Sequence, residues 1–531
     1  MDFRTSTIGI AIIVAGCSEN PTPAGSSETG SSDTSVGPDS TTLTSTSTTD
    51  ATASSSTTTQ GSESSTASES SDDGPQTSSG SSSGSGESTT TSGESSSGSS
   101  SDESTTGPLD CGDGVIDAGE ECDDSNLEND DGCDADCVPS GVVFVGTGLD
   151  HTCVLTRAGG VRCWGEGQTG QLGYANTNDI GRDETPALFG NVDVGGVAIG
   201  LTVGTHATCA LLEGGNVRCW GLGSGGALGY GNPEDIGDDE TPATAGDVPT
   251  GGIVAEVSAS EGQTCIVRAD GAARCWGQGF YGALGYGNEQ TFGATGAADL
   301  FGDIEVGGDV VHLSAGYSHT CAIMDTNGAR CWGRASDGQL GYGNTENIGD
   351  NETPDSVGEI DIGADVEQIS AGAFHTCAVL EGGALKCWGA NFVGQLGYGN
   401  TDGVGTNEVP SSLDDVDVGG TVIQVSAGVI HTCALLEGGT VRCWGQGSVL
   451  GYGNTIDIGD DETPASAGDV DIGGVVVQVS VGVSHACAVL DDGALRCWGE
   501  GAWGALGYGT TLPIGDNETP ASAGDVQVFP P

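Results

Sequence analysis

Residues 425–445 read V-S-A-G-V-I-H-T-C-A-L-L-E-G-G-T-V-R-C-W-G, and versions of this phrase occur seven times along the chain. Its Trp falls at Trp164, Trp220, Trp276, Trp332, Trp388, Trp444 and Trp498, a step of 56 residues five times and of 54 once. A fixed period of this length marks a repeat architecture, in which each unit buries its apolar face only against its neighbours. Two apolar, β-branched runs flank E-G-G, as strands flank a Gly-containing hairpin loop. Cys433 and Cys443 lie symmetrically about Gly438 in that turn, so the hairpin sets them opposite each other. Opposed strand positions are close enough for a disulfide. The spacing therefore predicts seven: Cys153–Cys163, Cys209–Cys219, Cys265–Cys275, Cys321–Cys331, Cys377–Cys387, Cys433–Cys443 and Cys487–Cys497.

Outward from the hairpin, a short run Asp469-Val470-Asp471-Ile472 ends at Gly473-Gly474 and is followed by an alternating run from Val475 to Ser480. Reading G-G as a hairpin turn gives four antiparallel strands per repeat, the blade of a β-propeller. The first repeat opens at Val142-Val143-Phe144-Val145 with no D-V-D-V before it. The chain closes on Gly524-Asp525-Val526-Gln527-Val528, which has the form of that run. The expectation is an all-β, seven-bladed propeller over residues 141–531, with the C-terminal strand completing blade one and leaving no exposed sheet edge.

The formal net charge is −64, with 12 Lys+Arg against 76 Asp+Glu. Affinity for nucleic acid rests on neutralising phosphates, so such a surface excludes that partner. Of 19 cysteines, fourteen belong to the hairpins, four cluster at Cys111, Cys122, Cys133 and Cys137, and Cys17 is left over. Paired cysteines at this density point to an oxidising, extracytoplasmic compartment.

At the N-terminus, Arg4 precedes a short apolar run from Ile8 to Val14 and then Ala15-Gly16-Cys17. The run is too short to span a membrane and reads as a signal peptide over residues 1–17. The ending V-A-G-C resembles a bacterial lipobox, which implies lipidation of Cys17; Ser18 after it implies sorting to a Gram-negative outer membrane. Residues 18–108 are almost wholly Ser, Thr, Gly, Asp and Glu and cannot bury enough apolar surface to offset ordering entropy. They read as a disordered tether, which as a coil would span roughly 50 Å.

Residues 109–140 carry C-G-D-G, G-E-E-C-D-D-S-N and D-G-C-D-A-D-C. They resemble the short cysteine-rich repeat of myxobacterial surface proteins. A piece this small needs staples, and its four cysteines allow three pairings. Asp123, Asp124, Asn126, Asp130 and Asp131, with Asp113 and Glu121, are hard oxygen donors suited to Ca²⁺, although their spacing is not that of an EF-hand. The connecting loops G-Y-G-N-T-x-x-I-G-D-x-E-T-P, as at residues 451–464, offer a similar donor set. No other cofactor is expected.

The phrases G-x-x-H-T-C-A-L, V-R-C-W-G and G-Q-L-G-Y-G-N, in register in the repeats over roughly 390 residues, resemble the repeat of the regulator of chromosome condensation (RCC1) superfamily. That resemblance implies a seven-bladed propeller serving as a protein-binding platform. In the eukaryotic namesake it implies nucleotide exchange on a small GTPase at chromatin, the alternative function. The export signal and the lack of a basic face favour instead the secreted bacterial relatives that bind partner proteins on one face. A secreted propeller enzyme is a third reading. The sequence shows no P-loop, no G-x-S-x-G and no H-E-x-x-H, and every hairpin cysteine is paired, so catalysis is not expected.

Two repeated positions read as structural. His151, His319, His375, His431 and His485 precede the first hairpin cysteine and are expected to bond backbone rather than ring a metal. Arg162, Arg218, Arg274, Arg330, Lys386, Arg442 and Arg496 share one position and are expected to pair with turn acids such as Glu213, Asp270, Glu381, Glu437 and Asp491 rather than hold an anion. Specificity should lie where the repeats differ, at Phe280, Tyr281, Phe392 and Trp503. The reading is a non-catalytic, lipid-anchored surface protein whose propeller binds a protein or glycan.

Overall fold

A computed structural model describes residues 111–116 and 120–530 of the chain. Cys17 and the stretches read as a signal peptide and a tether lie outside the described residues. Seven three-stranded antiparallel sheets follow one another, each a blade. Blade one is Val142–Thr147, His151–Thr156 and Val161–Gly165; blade seven is Val476–Val481, His485–Leu490 and Leu495–Gly499. Among the described residues no helix is long and apolar enough to cross a membrane.

The hairpin forms as its spacing requires. In blade six Cys433 pairs with Cys443 across the ladder, and His431 with Gly445. All seven hairpin disulfides are present, with Cα–Cα distances of 4.0–4.1 Å. The seven repeat tryptophans are fully buried and anchor one continuous core. Each first strand carries a bulge, as between Val422 and Gln424, and the bulged Val143, Val311, Ile423 and Val477 turn outward.

Two expectations fail on the D-V-D-V run. It is not a fourth strand, and G-G is not a hairpin turn. Val470 donates its amide to Val441 of the blade just completed, and Ile472 then donates back to Val470, two residues earlier. That three-residue turn ends the ladder after one bond. The alternation was real, since Val470 and Ile472 are buried; the backbone did not continue it. The run is thus an edge segment on its own blade, and Gly473-Gly474 carries the chain across to the next.

For the same reason the C-terminal segment does not complete blade one. Val526 donates to Leu495 of blade seven, and blade one has its own edge segment, with Val192 donating to Val161. The ring instead closes through contacts of the kind seen between other blades. Gln478 clasps Val145 by two bonds, Oε1 accepting at 2.9 Å and Nε2 donating at 3.0 Å, just as Gln424 clasps Val479 at 2.9 and 3.1 Å.

The repeated cations also find other partners than the turn acids. Arg218 pairs with Asp247 on its own edge segment at 3.0 Å and donates to the Val194 carbonyl on the preceding blade's segment at 2.8 Å. Arg442 does the same with Asp469 and Val418, at 2.8 and 2.6 Å. Lys386 pairs with Asp415, Arg274 with Asp303 and Arg496 with Asp525. In blades two, three, six and seven the cation clamps its blade to the preceding one, whereas Lys386 reaches only its own blade's segment and Arg330 pairs with no acid among the described residues; a free anion-binding ring is not formed.

Four of the histidines, His151, His319, His375 and His485, meet a threonine side chain of the next blade, and His485 also bonds the backbone of Leu149. His319 Nε2 meets Thr376 Oγ1 of the next blade at 2.9 Å, and His375 meets Thr432 at 2.8 Å. Thr376 spends its hydroxyl proton on the Gln339 carbonyl, so its oxygen accepts and the histidine must carry its proton on Nε2. Burial holds these imidazoles neutral, with pKa pushed down to about 3 at His319 and about 4 at His375. At the blade six–seven junction the pattern breaks. The residue in the Thr position is Ala486, and neither His431 Nε2 nor Trp498 Nε1 has a hydrogen-bond partner among the described residues.

The cysteine-rich module is stapled by Cys111–Cys137 and Cys122–Cys133, which decides among the three pairings.

Candidate binding face

The register places the loops on two faces. The E-G-G turns leave from one end of the hairpins. The G-x-x-H corner and the G-Q-L-G loop lie at the other, because His431 pairs with Gly445 there. This second face, the loop face, carries Phe280, Tyr281, Phe392 and Trp503.

In six of the blades one position, Gln or Ala, sets the shape of the loop. In blades one, four and five, Gln171, Gln339 and Gln395 accept the amide of the residue two earlier, at 2.8–3.0 Å. Blades two, three and seven have Ala227, Ala283 and Ala505 instead. There the residue two earlier turns left-handed: Gly225 at φ 72°, Tyr281 at φ 60° and Trp503 at φ 57°. Glycine adopts this region freely, whereas an aromatic residue is strained in it. The contrast between G-Q-L-G and G-A-L-G was present in the sequence and went unread.

Tyr281 does not stand alone. The Arg334 guanidinium lies 5.9 Å from its ring and 5.4 Å from that of Phe374, and Phe374 lies 6.5 Å from Tyr317. Arg182 lies 5.1 Å from the ring of Trp503, so both strained aromatics sit beneath a cation. Phe280 and Phe392 are 59% and 68% exposed, large apolar surface turned to solvent. The structure thus gathers Tyr281, Arg334, Phe374 and Tyr317 into one patch; it shows no contact joining Phe392 to them. Arg334, Phe374 and Tyr317 were missed by sequence reasoning, because their neighbourhood exists only once blades three, four and five are packed.

Around blade one the same face is acidic. Burial, reinforced by Glu500, raises the Asp150 carboxyl above its ordinary range, and burial with Asp150 and Asp179 raises Glu166.

The candidate Ca²⁺ ligands of the module hold the chain's own backbone. Asp123 accepts amides from Gly112, Asp113, Gly114 and Ser125 at 2.8–3.1 Å, and Asp124 accepts that of Cys133. The Ser125 amide and those of Gly114, Gly112 and Asp113 lower the Asp123 carboxyl below its usual range. Asn126 bonds Asp131, and Asp130 bonds Asn191 of blade one. In the connecting loops, Asp238-Asp239-Glu240 and Asp460-Asp461-Glu462 bring their carboxylates within 4.8 Å of one another.

Comparison with known proteins agrees with this geometry. The model described as "Regulator of chromosome condensation (RCC1) repeat" matches residues 142–171, 310–339, 366–395, 422–453 and 476–502, and a second model of that description matches 331–379 and 383–435. The chain is 28% identical over 377 residues to the ultraviolet-B receptor UVR8 of Arabidopsis thaliana, covering 70% of this chain and 80% of the receptor. It is 27% identical to the human E3 ubiquitin-protein ligase HERC2 over 69% of this chain but only 7% of that protein. Among solved structures, Prp20p of Saccharomyces cerevisiae superposes with a TM-score of 0.53 at 20% identity, over 70% of this chain and 86% of that one. Human WBSCR16 superposes at 0.50 and 21% identity, over 61% and 83%. The matched segments thus carry the RCC1 repeat pattern, and the propeller they belong to is RCC1-like.

Proposed function

We propose that this chain is a lipid-anchored surface protein whose propeller is a non-catalytic platform, binding a protein or glycan through its loop face. The observation that carries the reading is the pair of aromatics at strained positions. Tyr281 and Trp503 stand where blade two has Gly225, and a left-handed aromatic is kept against a cost of order 1 kcal/mol or more. Strain of this kind collects at functional sites, and aromatic anchors with an arginine beside them are typical of interface hot spots. The module packs against the turn side of blade one, opposite the face that carries these aromatics.

Two experiments test the two halves of the reading. Protease shaving of intact cells should release the propeller, and Cys17→Ser should abolish membrane retention; a propeller found only in the cytoplasm would defeat the surface assignment. Photo-crosslinkers at Phe280 and Phe392 of the full chain should capture a cell-surface protein or glycan that crosslinkers at Thr440 and Ala494, on the turn face, do not.

A further inference from the structure

We propose that the cysteine-rich module is the clasp of the propeller ring, seated on blade one to supply a carboxylate which that blade alone lacks. In the other blades the residue at the clamp position on the edge segment is an acid: Asp247, Asp303, Glu359, Asp415, Asp469 and Asp525. Blade one has Asn191. Arg162 Nε donates to Asn191 Oδ1 at 2.8 Å, and Asn191 Nδ2 passes the contact on to Asp130 Oδ2 of the module at 2.7 Å. Arg162 Nη2 donates directly to the Asp130 carbonyl. Asp130 is 1% exposed and Arg162 5%, so this is a buried cation given its anion from outside its own repeat.

Blade one is altered at one further position to receive the module. The residue after its middle strand is Arg157, where five other blades have Glu213, Asp325, Glu381, Glu437 or Asp491. It donates to the Pro139 carbonyl at 3.0 Å. A Cβ at Gly160 would come within 2.3 Å of both Asp130 Oδ2 and Asn191 Nδ2, so this glycine, which blade four also has as Gly328, leaves room for the contact.

The seat lies on the seam where the ring is closed. Arg162 Nη1 donates to the Val528 carbonyl of blade seven's edge segment at 2.6 Å, and Phe529 lies under the same guanidinium at 5.1 Å. One side chain therefore joins the module, blade one and the C-terminal segment. Among the described residues no strand exchange closes this ring, so the seam is where it would open, and the module holds it.

The test uses the full chain. Asp130→Ala should lower the melting temperature by several degrees and increase proteolytic cleavage between Cys137 and Val142 at least tenfold. Asp136→Ala, at an exposed module acid, should change neither. The decisive variant is Asp130→Ala with Asn191→Asp, which gives blade one the acid that the other blades carry. It should recover most of the lost melting temperature while cleavage stays fast, because the ring is repaired but the module remains loose. Asp130→Asn, which keeps the shape and removes the charge, guards against a variant that fails to fold and should fall between wild type and Asp130→Ala. An Asp130→Ala protein that melts like wild type, or a loss that Asn191→Asp leaves untouched, would overturn the proposal.

Discussion

Cys433 and Cys443 stand directly opposite on adjacent strands of blade six, with Cα atoms 4.1 Å apart and both side chains wholly buried. The bond closes a short hairpin loop, for which chain entropy gives roughly 2–3 kcal/mol. Replacing both residues with Ala should cost about that much in denaturant unfolding and leave the other blades' staples in place. Thiol titration of the unfolded, unreduced wild-type chain should find none of the eighteen described cysteines reactive.

His431 and Ala486 mark an inter-blade junction that has lost its side-chain hydrogen bond. Where blades four and five meet five and six, a Thr hydroxyl satisfies the histidine; here the hydroxyl is missing. Ala486→Thr should restore the bond and stabilise the protein by about 1 kcal/mol, the net worth of one buried hydrogen bond. Thermal melting checks it, and Thr376→Ala at an intact junction should move the melt the opposite way.

The buried histidines set the acid limit of the fold. Their folded pKa values, about 3 at His151, His319 and His431 and about 4 at His375 and His485, lie below the ordinary 6.5 because burial disfavours the cation. A depressed histidine stabilises above its unfolded pKa, and that stability drains away as pH falls toward the folded value. The melting temperature should therefore fall steadily from pH 7 to pH 5, a range in which most carboxylates remain ionised. A flat profile there would contradict the neutral-imidazole assignment. His312 works in the opposite sense: burial alone would lower it, but Glu256 at 2.8 Å and the Ile369 carbonyl raise it overall. Its contribution is full below the unfolded pKa and is lost as pH rises through the raised one.

Tyr281→Gly and Trp503→Gly separate binding from folding. Glycine relaxes a left-handed backbone, so neither change should lower the melting temperature by more than a degree or two, and either could raise it. Both should weaken capture of the partner by tenfold or more. An aromatic kept only for packing would give the reverse, a lower melt with capture unchanged.

Much of this fold could be read from the spacing of Trp and Cys, because a strict period and a symmetric hairpin leave the chain few options. What escaped was decided by contacts between repeats. Asp469 looked like one more alternating strand residue, whereas its carboxylate is the partner of Arg442, 27 residues back. The histidine's partner is a Thr on the next blade, invisible until neighbouring blades touch. Phe280, Tyr281, Phe392 and Trp503 were found as departures from the repeat. Arg334 and Phe374 became visible only beside Tyr281.

The loop face as the working surface is the claim on which the functional account stands. Photo-crosslinking of the full chain on intact cells, comparing Phe280 and Phe392 with Thr440 and Ala494, tests it most directly. The account predicts a discrete adduct from the first pair alone, lost when Tyr281→Gly is introduced. Adducts from the turn-face pair alone, or equal yields from both faces unaffected by Tyr281→Gly, would contradict it.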